Sequence, residues 1–133
     1  PAAHEEIEYH RKGKADLVLL SSALAPLCGQ VALHLGLGSV LCSELEITGG
    51  RLTGKPKGKF CYGEEKALKL ADYCENRHFK PSGAWYYADS YSDIPVLELV
   101  GNPVCVNPDR KLLAMARKKG WQVRAWNHAS ALN

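Results

Sequence analysis

The chain predicts a layered α/β fold built on a mostly parallel sheet. Three observations carry that prediction. Leu17-Val18-Leu19-Leu20 and Pro103-Val104-Cys105-Val106 are apolar runs without alternation, as strands buried on both faces are. Segments with apolar residues at helical spacing separate such runs. Strand and helix therefore alternate along the chain, with one hairpin inserted, which is the pattern of parallel strands joined by helical crossovers.

Taken in order, residues 4–12 read as a short polar helix stopped at Gly13. The first strand, residues 17–20, ends in Ser21-Ser22. Leu24, Leu27, Val31, Leu33 and Leu35 then lie at roughly helical spacing, with Pro26 in the first turn and Gly36 as the stop. Val40-Leu41-Cys42 is a second short strand. Residues 44–54 alternate polar and apolar around Gly49-Gly50, a hairpin signal. A basic loop leads to Gly63 and a helix with Ala67, Leu70, Ala71 and Cys74 on one face. Residues 84–88 form the third strand, 94–100 a short helix and 103–106 the fourth strand. Asp109 caps a helix over residues 111–119, Gly120 ends it, and residues 121–126 read as a last strand.

The chain's 133 residues suffice for one domain, 1–133, with a real core. At 46% hydrophobic and 23% charged it has the composition of a folded globular protein. The net charge of +3 is spread out except for Lys55-Pro56-Lys57-Gly58-Lys59 and Arg117-Lys118-Lys119. Those clusters read as a solvated loop and a helix C-terminal end, so no nucleic-acid partner is expected. No apolar run approaches the roughly 18–20 residues of a membrane span, so no membrane partner is expected. Five cysteines with no Cys-x-x-Cys, three of them in apolar runs, suit reduced thiols and a cytoplasmic setting. Gly36-Leu37-Gly38 precedes a strand and lacks a third glycine, so it does not make a dinucleotide fingerprint.

Chemistry gathers after the third strand. Asp89-Ser90-Tyr91-Ser92-Asp93 puts two carboxylates four residues apart where an apolar run hands over to a helix. Open α/β sheets hold ligands at such strand ends. Two hard oxygen ligands there suit Mg²⁺, which takes one or two carboxylates with water and substrate phosphate. Parallel strands would bring Ser21, at the end of the first strand, to the same edge. Lys66 opens a helix after a glycine. A hydroxyl, an ammonium and Mg²⁺ together can hold and neutralise a transferring phosphoryl group. Each residue also has a plainer reading: Ser21 as a helix cap, Lys66 as a solvated helix residue, Asp89 and Asp93 as a cap and a surface acid.

Leu20-Ser21-Ser22-Ala23, Gly63-Glu64-Glu65-Lys66-Ala67 and Tyr87-Ala88-Asp89-Ser90-Tyr91-Ser92-Asp93-Ile94-Pro95 resemble motifs II, III and IV of the haloacid dehalogenase superfamily. The similarity is to its subfamily IB, the phosphoserine-phosphatase-like branch. It continues in Gly50-Arg51-Leu52-Thr53-Gly54, Val100-Gly101-Asn102-Pro103-Val104 and Val106-Asn107-Pro108-Asp109. The resemblance implies a three-layer, Rossmann-like fold and a Mg²⁺-dependent phosphomonoester hydrolase acting on a small phosphorylated metabolite through an aspartyl-phosphate. It implies that Ser21, helped by the Ser22 N–H, binds the phosphoryl group. Lys66 would neutralise phosphate and nucleophile. Asp89 would ligate Mg²⁺, with Asp93 as second ligand or outer partner. Ala23 stands where many relatives have a second serine, and Ser92 where phosphoserine phosphatases proper often have asparagine. Phosphoserine, histidinol phosphate and other small phosphomonoesters all stay open as substrates.

The family's nucleophile is the first Asp of an Asp-x-Asp-x-Thr motif, and no Asp-x-Asp occurs in these residues. The resemblance thus implies that the chain begins after that motif, after the central strand carrying it and after most of the cap. Without the carboxylate, covalent catalysis is closed to this chain alone. Losing about five buried apolar side chains, at about 1.5–3 kcal/mol each, is comparable to the net stability of a domain, about 5–15 kcal/mol. Two inner strand edges would be left unpaired and open to pairing with another chain. The expectation is an inactive part of a phosphatase. The alternatives are a non-catalytic phosphate- or Mg²⁺-binding remnant, or one chain of a split enzyme.

Overall fold

The apolar runs become parallel strands, but in two separate sets. The computed structural model describes residues 2–126. Helix α1 (Ala2–Lys12) leads into β1 (Val18–Leu24), α2 (Ala25–Leu35) and β2 (Ser39–Ser43). The hairpin strands β3 (Leu45–Thr48) and β4 (Arg51–Pro56) follow, then α3 (Glu64–Asn76) and β5 (Trp85–Ala88). The chain continues through α4 (Ile94–Leu99), β6 (Asn102–Val106), α5 (Arg110–Lys119) and β7 (Gln122–Arg124). β1 pairs in parallel with β2, while β5, β6 and β7 form a parallel sheet in that order. β3 and β4 pair antiparallel with each other, across Gly49 and Gly50 at φ 59° and 79°. Two consecutive left-handed residues are what a tight hairpin turn demands, and glycine adopts them without a Cβ clash.

Helix α3 sets the common direction of the two sets. Lys69 Nζ donates to the Cys42 carbonyl near the end of β2 at 3.2 Å, and the Tyr73 hydroxyl one turn later donates to Ser39 Oγ at its start, also at 3.2 Å. The helix therefore runs antiparallel to β2. Its first turn meets the segment after β5 through Lys66 and Asp93. β5 thus points the same way as β1 and β2, and all five parallel strands end at one edge.

Helices cover both faces, giving the three layers expected. Leu70 and Cys74 of α3 pack with Val96 and Val100 of α4, and Leu97 of α4 packs with Leu112 and Ala116 of α5. Tyr86 and Ala88 of β5 face these helices. Trp85 and Tyr87 point the other way, onto His10 of α1, as alternation along a strand requires.

Among the described residues, β1 and β5 each have a single strand neighbour. A cleft of about 690 Å³ lies between them, walled by Val18 and Leu20 on one side and Trp85, Tyr86 and Tyr87 on the other. The gap between the two parallel sets lies where a sheet lacking its central strand is expected to be open. This is also where the connections change direction, outward from β1 to β2 and outward from β5 to β7, so the cleft marks the topological switch point.

Two strand ends differ from expectation. β1 continues past Ser21-Ser22 to Leu24, because Ser43 of β2 still pairs with it beyond an irregularity after Leu20. β7 is confined to three residues: the Trp121 N–H is spent on the Ala116 carbonyl closing α5, and the Trp126 N–H and C=O are held by the Asn107 side chain. All five cysteines are free and buried. No helix among the described residues is long and apolar enough to cross a membrane.

Candidate active site at the carboxyl edge of the strands

The centre of the site is an ion pair between two buried side chains. Lys66 stands in the first turn of α3, whose start is made by Gly63 at φ 56°, ψ −125°, a conformation closed to residues with a Cβ. Its Nζ lies 2.8 Å from Asp93 Oδ1, and each side chain is 10% exposed. The burial explains why a lysine on the apolar face of α3 is tolerated, since a buried charge must be paired. Tyr86 is the pair's neighbour. Burial pushes its hydroxyl above the usual tyrosine range, and the charge of Asp93 and a hydrogen bond to it add to the effect. The Cys61 thiol is also pushed up by burial, against the pull of Lys69 and Lys66.

The loop from Asp89 to Asp93 owes its shape to local bonds. Ser90 Oγ accepts from the Ser92 N–H at 3.3 Å and lies 3.0 Å from Ser92 Oγ, closing a turn that leads into α4. Asp109 fixes the loop from outside. Its Oδ1 caps α5 by accepting from Leu112 N–H at 2.8 Å, and its Oδ2 accepts from Tyr91 N–H at 3.0 Å. Its own N–H donates to the Asp89 carbonyl at 2.9 Å. The sequence marks Asp109 as a helix cap but gives no sign of this second task.

The expected site residues are thus brought together in part. Lys66 and Asp93 are in direct contact. Asp89 lies on the same loop with an exposed side chain. Ser21 and Ser22 sit on β1 across the cleft, without a direct bond to the pair; Ser21 Oγ accepts from the Ala23 N–H at 3.1 Å, a turn-type bond. Tyr86 and the hold of Asp109 on the Asp89–Asp93 loop escaped the sequence reading. Only the alternation of Tyr86 and Tyr87 across β5 could have pointed to the first.

The donor set fits Mg²⁺ in kind but is small. Asp89 offers an exposed carboxylate, whereas Asp93 is engaged by Lys66. Among the described residues no cluster of three or more His, Cys, Asp or Glu side chains could hold a metal ion. A cation there would draw its remaining ligands from water and substrate phosphate, as Mg²⁺ commonly does.

A second polar cluster lies on the α1 side of the cleft. The Tyr87 hydroxyl donates to Glu6 Oε2 at 2.5 Å and lies 2.8 Å from His10 Nε2, and Arg124 Nη1 reaches Glu6 Oε1 at 2.6 Å. The Tyr87 hydrogen bond, with Arg124 beside it, holds the Glu6 carboxyl below its ordinary value.

Parallel strands ending at one edge, helices on both faces and a buried lysine–carboxylate pair at that edge define an α/β protein with its chemistry at a switch point. The family of haloacid dehalogenase-like hydrolases matches residues 1–98, and the chain belongs to it. It is 31% identical over 120 residues to a phosphoserine phosphatase of Mycobacterium tuberculosis, covering 90% of this chain and 39% of that one. It is 32% identical over 126 residues to a histidinol-phosphatase of Neisseria meningitidis, covering 88% and 54%. A crystal structure of a protein of unknown function from Bordetella pertussis aligns with TM-score 0.85 and 24% identity, over 92% of this chain and 56% of that one. The chain therefore spans about half the length of the curated relatives it matches, or less.

Proposed function

We propose that the chain carries the phosphate- and metal-binding half of a Mg²⁺-dependent phosphomonoester hydrolase and lacks the nucleophile that completes it. The observation that supports this reading is the buried Lys66–Asp93 pair beside the exposed Asp89, at the edge where all the parallel strands end. Asp89 would hold Mg²⁺, with Asp93 as second ligand or as the residue that aims Lys66. The ion, when bound, would supply charge that stabilises a phosphoryl group in transfer. Lys66 would neutralise the phosphate, and the Ser21 hydroxyl and Ser22 N–H would take its oxygens from the β1 side. The substrate class is a small phosphorylated metabolite. Both phosphoserine and histidinol phosphate suit it, given the names of the relatives. Five free buried thiols suit a cytoplasmic setting.

The test is a calorimetric titration of the 133-residue chain with Mg²⁺, with and without inorganic phosphate. Asp89→Asn is expected to weaken Mg²⁺ binding about tenfold or more, and Lys66→Met to remove the gain that phosphate provides. Purified alone, the chain should not hydrolyse p-nitrophenyl phosphate. Hydrolysis that Asp89→Asn abolishes would sink the claim that the nucleophile is absent. Absence of Mg²⁺ binding even with phosphate would leave the second reading, a non-catalytic remnant, which the absence of Asp-x-Asp from the sequence favours.

A further inference from the structure

Three of the five free thiols converge from three separate parts of the chain. Cys28 of α2, Cys42 of β2 and Cys61 in the loop before α3 are 1%, 6% and 0% exposed. The Cys28 S–H donates to the Ala23 carbonyl at 3.5 Å. A thiol has one proton to give, so in the hydrogen bond between Cys28 and Cys42 it is Cys42 that donates, and the two sulfurs are neighbours. Cys61 is tied to the same place by its N–H, which donates at 2.9 Å to Ser43 Oγ, next to Cys42 in β2. Its charge bears on Cys42, and that of Cys28 bears on it. Among the described residues no three such side chains could hold a metal ion, so the chemistry open to the touching pair is a bond between its sulfurs. Burial first, and then Cys28, pushes the Cys42 thiol up to about 11. The pair is therefore unreactive while α2 is seated. That helix is lightly held: it buries Cys28 and Ala32 and leaves Leu27 and Leu33 in solvent. Lifting it locally bares both sulfurs without unfolding the rest.

We propose that Cys28 and Cys42 are a redox-responsive dithiol, which closes to a disulfide when a small disulfide such as oxidised glutathione accepts its electrons. One protein thiolate attacks the glutathione disulfide and releases the first glutathione thiol. The other protein thiolate attacks the mixed disulfide and releases the second. Two protein S–H bonds and the glutathione S–S bond are broken, and one protein S–S bond is formed. Both protons and both electrons end on the two glutathione thiols. The bond would fasten α2 to β2 at a residue that already anchors the helix. It would also take from the Ala23 carbonyl its S–H donor. The N–H of Ala23 is held by Ser21 Oγ, so the oxidation state of Cys28 reaches the turn that carries Ser21 and Ser22. Cys61 is the nearest competitor for the bond. The inference does not rest on the phosphatase reading.

The experiment equilibrates the whole chain with reduced and oxidised glutathione, quenches it, alkylates the remaining thiols in denaturant and cuts with trypsin. No Lys or Arg lies between Lys14 and Arg51, so Cys28 and Cys42 stay on one peptide, while Cys61, Cys74 and Cys105 fall on others. The expected product is peptide 15–51 without alkylation and about 2 Da lighter, with the other three cysteines alkylated. The equilibrium constant for closing this bond should exceed that of the same chain in guanidinium chloride by about tenfold or more, because the fold holds the sulfurs together. Cys105→Ala, in the other half-sheet, should leave both results unchanged. A peptide 15–51 that stays alkylated at both cysteines, under conditions that close the bond in guanidinium chloride, overturns the proposal and leaves the thiols as core filling. An equilibrium constant no larger than the denatured one overturns it too. So does a main product that joins peptide 15–51 to the Cys61 peptide or to a second copy of the chain. No activity is read, so failure here and failure of the phosphatase reading are told apart.

Discussion

The two parallel half-sheets are built from similar runs of residues but are packed differently. In the β5–β6–β7 half, Val96, Leu97, Val104, Cys105, Leu112 and Ala116 are all 0% exposed. In the β1–β2 half, residues 18–20 are only half-buried, and on α2 Leu27 is 60% and Leu33 84% exposed. The difference follows from closure. The three-stranded half keeps α4 and α5 over its own strands. The two-stranded half shares α3 and is covered by α2 only over Cys28 and Ala32, which leaves Leu27 and Leu33 outside. A strand run in a sequence specifies that it is to be buried, but the neighbours supply the burial.

The strongest way to break this comparison is to cut what joins the halves. Lys66 belongs to the helix on β2, and Asp93 to the loop after β5. Removing either partner, as in Lys66→Ala or Asp93→Ala, strands a buried charge and should cost about 3–5 kcal/mol. Urea unfolding measures it. A loss below about 1 kcal/mol would class the pair with surface bridges. The contrast in packing itself is read by truncation. Leu112→Ala should cost about 2–5 kcal/mol and Leu33→Ala no more than about 0.5 kcal/mol. Equal losses would mean that α2 is covered in solution. Asp109→Ala removes a helix cap, about 1 kcal/mol, and should also speed exchange of the Tyr91 amide, which Asp109→Asn should largely restore. The smallest effect concerns α1. The folded Glu6 carboxyl titrates below its ordinary value of 4.5. Its contribution is therefore fully present above that value and is lost as the pH falls through the lower, folded one. Glu6→Gln should flatten stability against pH in that acid range. An unchanged acid limb would show that the Tyr87 bond does not tune this group.

Most of the fold was legible because burial and period speak locally. The continuous runs at Val18 and Val104 became parallel strands, Gly49-Gly50 made the hairpin, and Asp109 and Gly120 bounded α5. What was not legible depends on partners distant in sequence. Ser43 prolongs β1, Asn107 ends β7, and Glu6 meets Tyr87 across 81 positions. At the site, the order Ser21, Lys66, Asp89, Asp93 pointed to one edge. The bond between Lys66 and Asp93 is a choice between two nearby carboxylates that only burial decides: Asp93 is enclosed with the lysine, whereas Asp89 stays in solvent. Tyr86 is recognisable only once α3 and β5 have met.

The hairpin has a practical consequence. Among the described residues β3 and β4 pair only with each other, Ile47 at the tip end is 65% exposed, and Gly49 and Gly50 have open space around them. Nothing in either half-sheet is registered against that tip. It is therefore a natural graft point, where a peptide tag or a small reporter domain can be spliced between Gly49 and Gly50 with a melting curve unchanged from the parent chain. Through it the chain can be labelled or tethered to a surface while both the carboxyl edge and the cleft stay free.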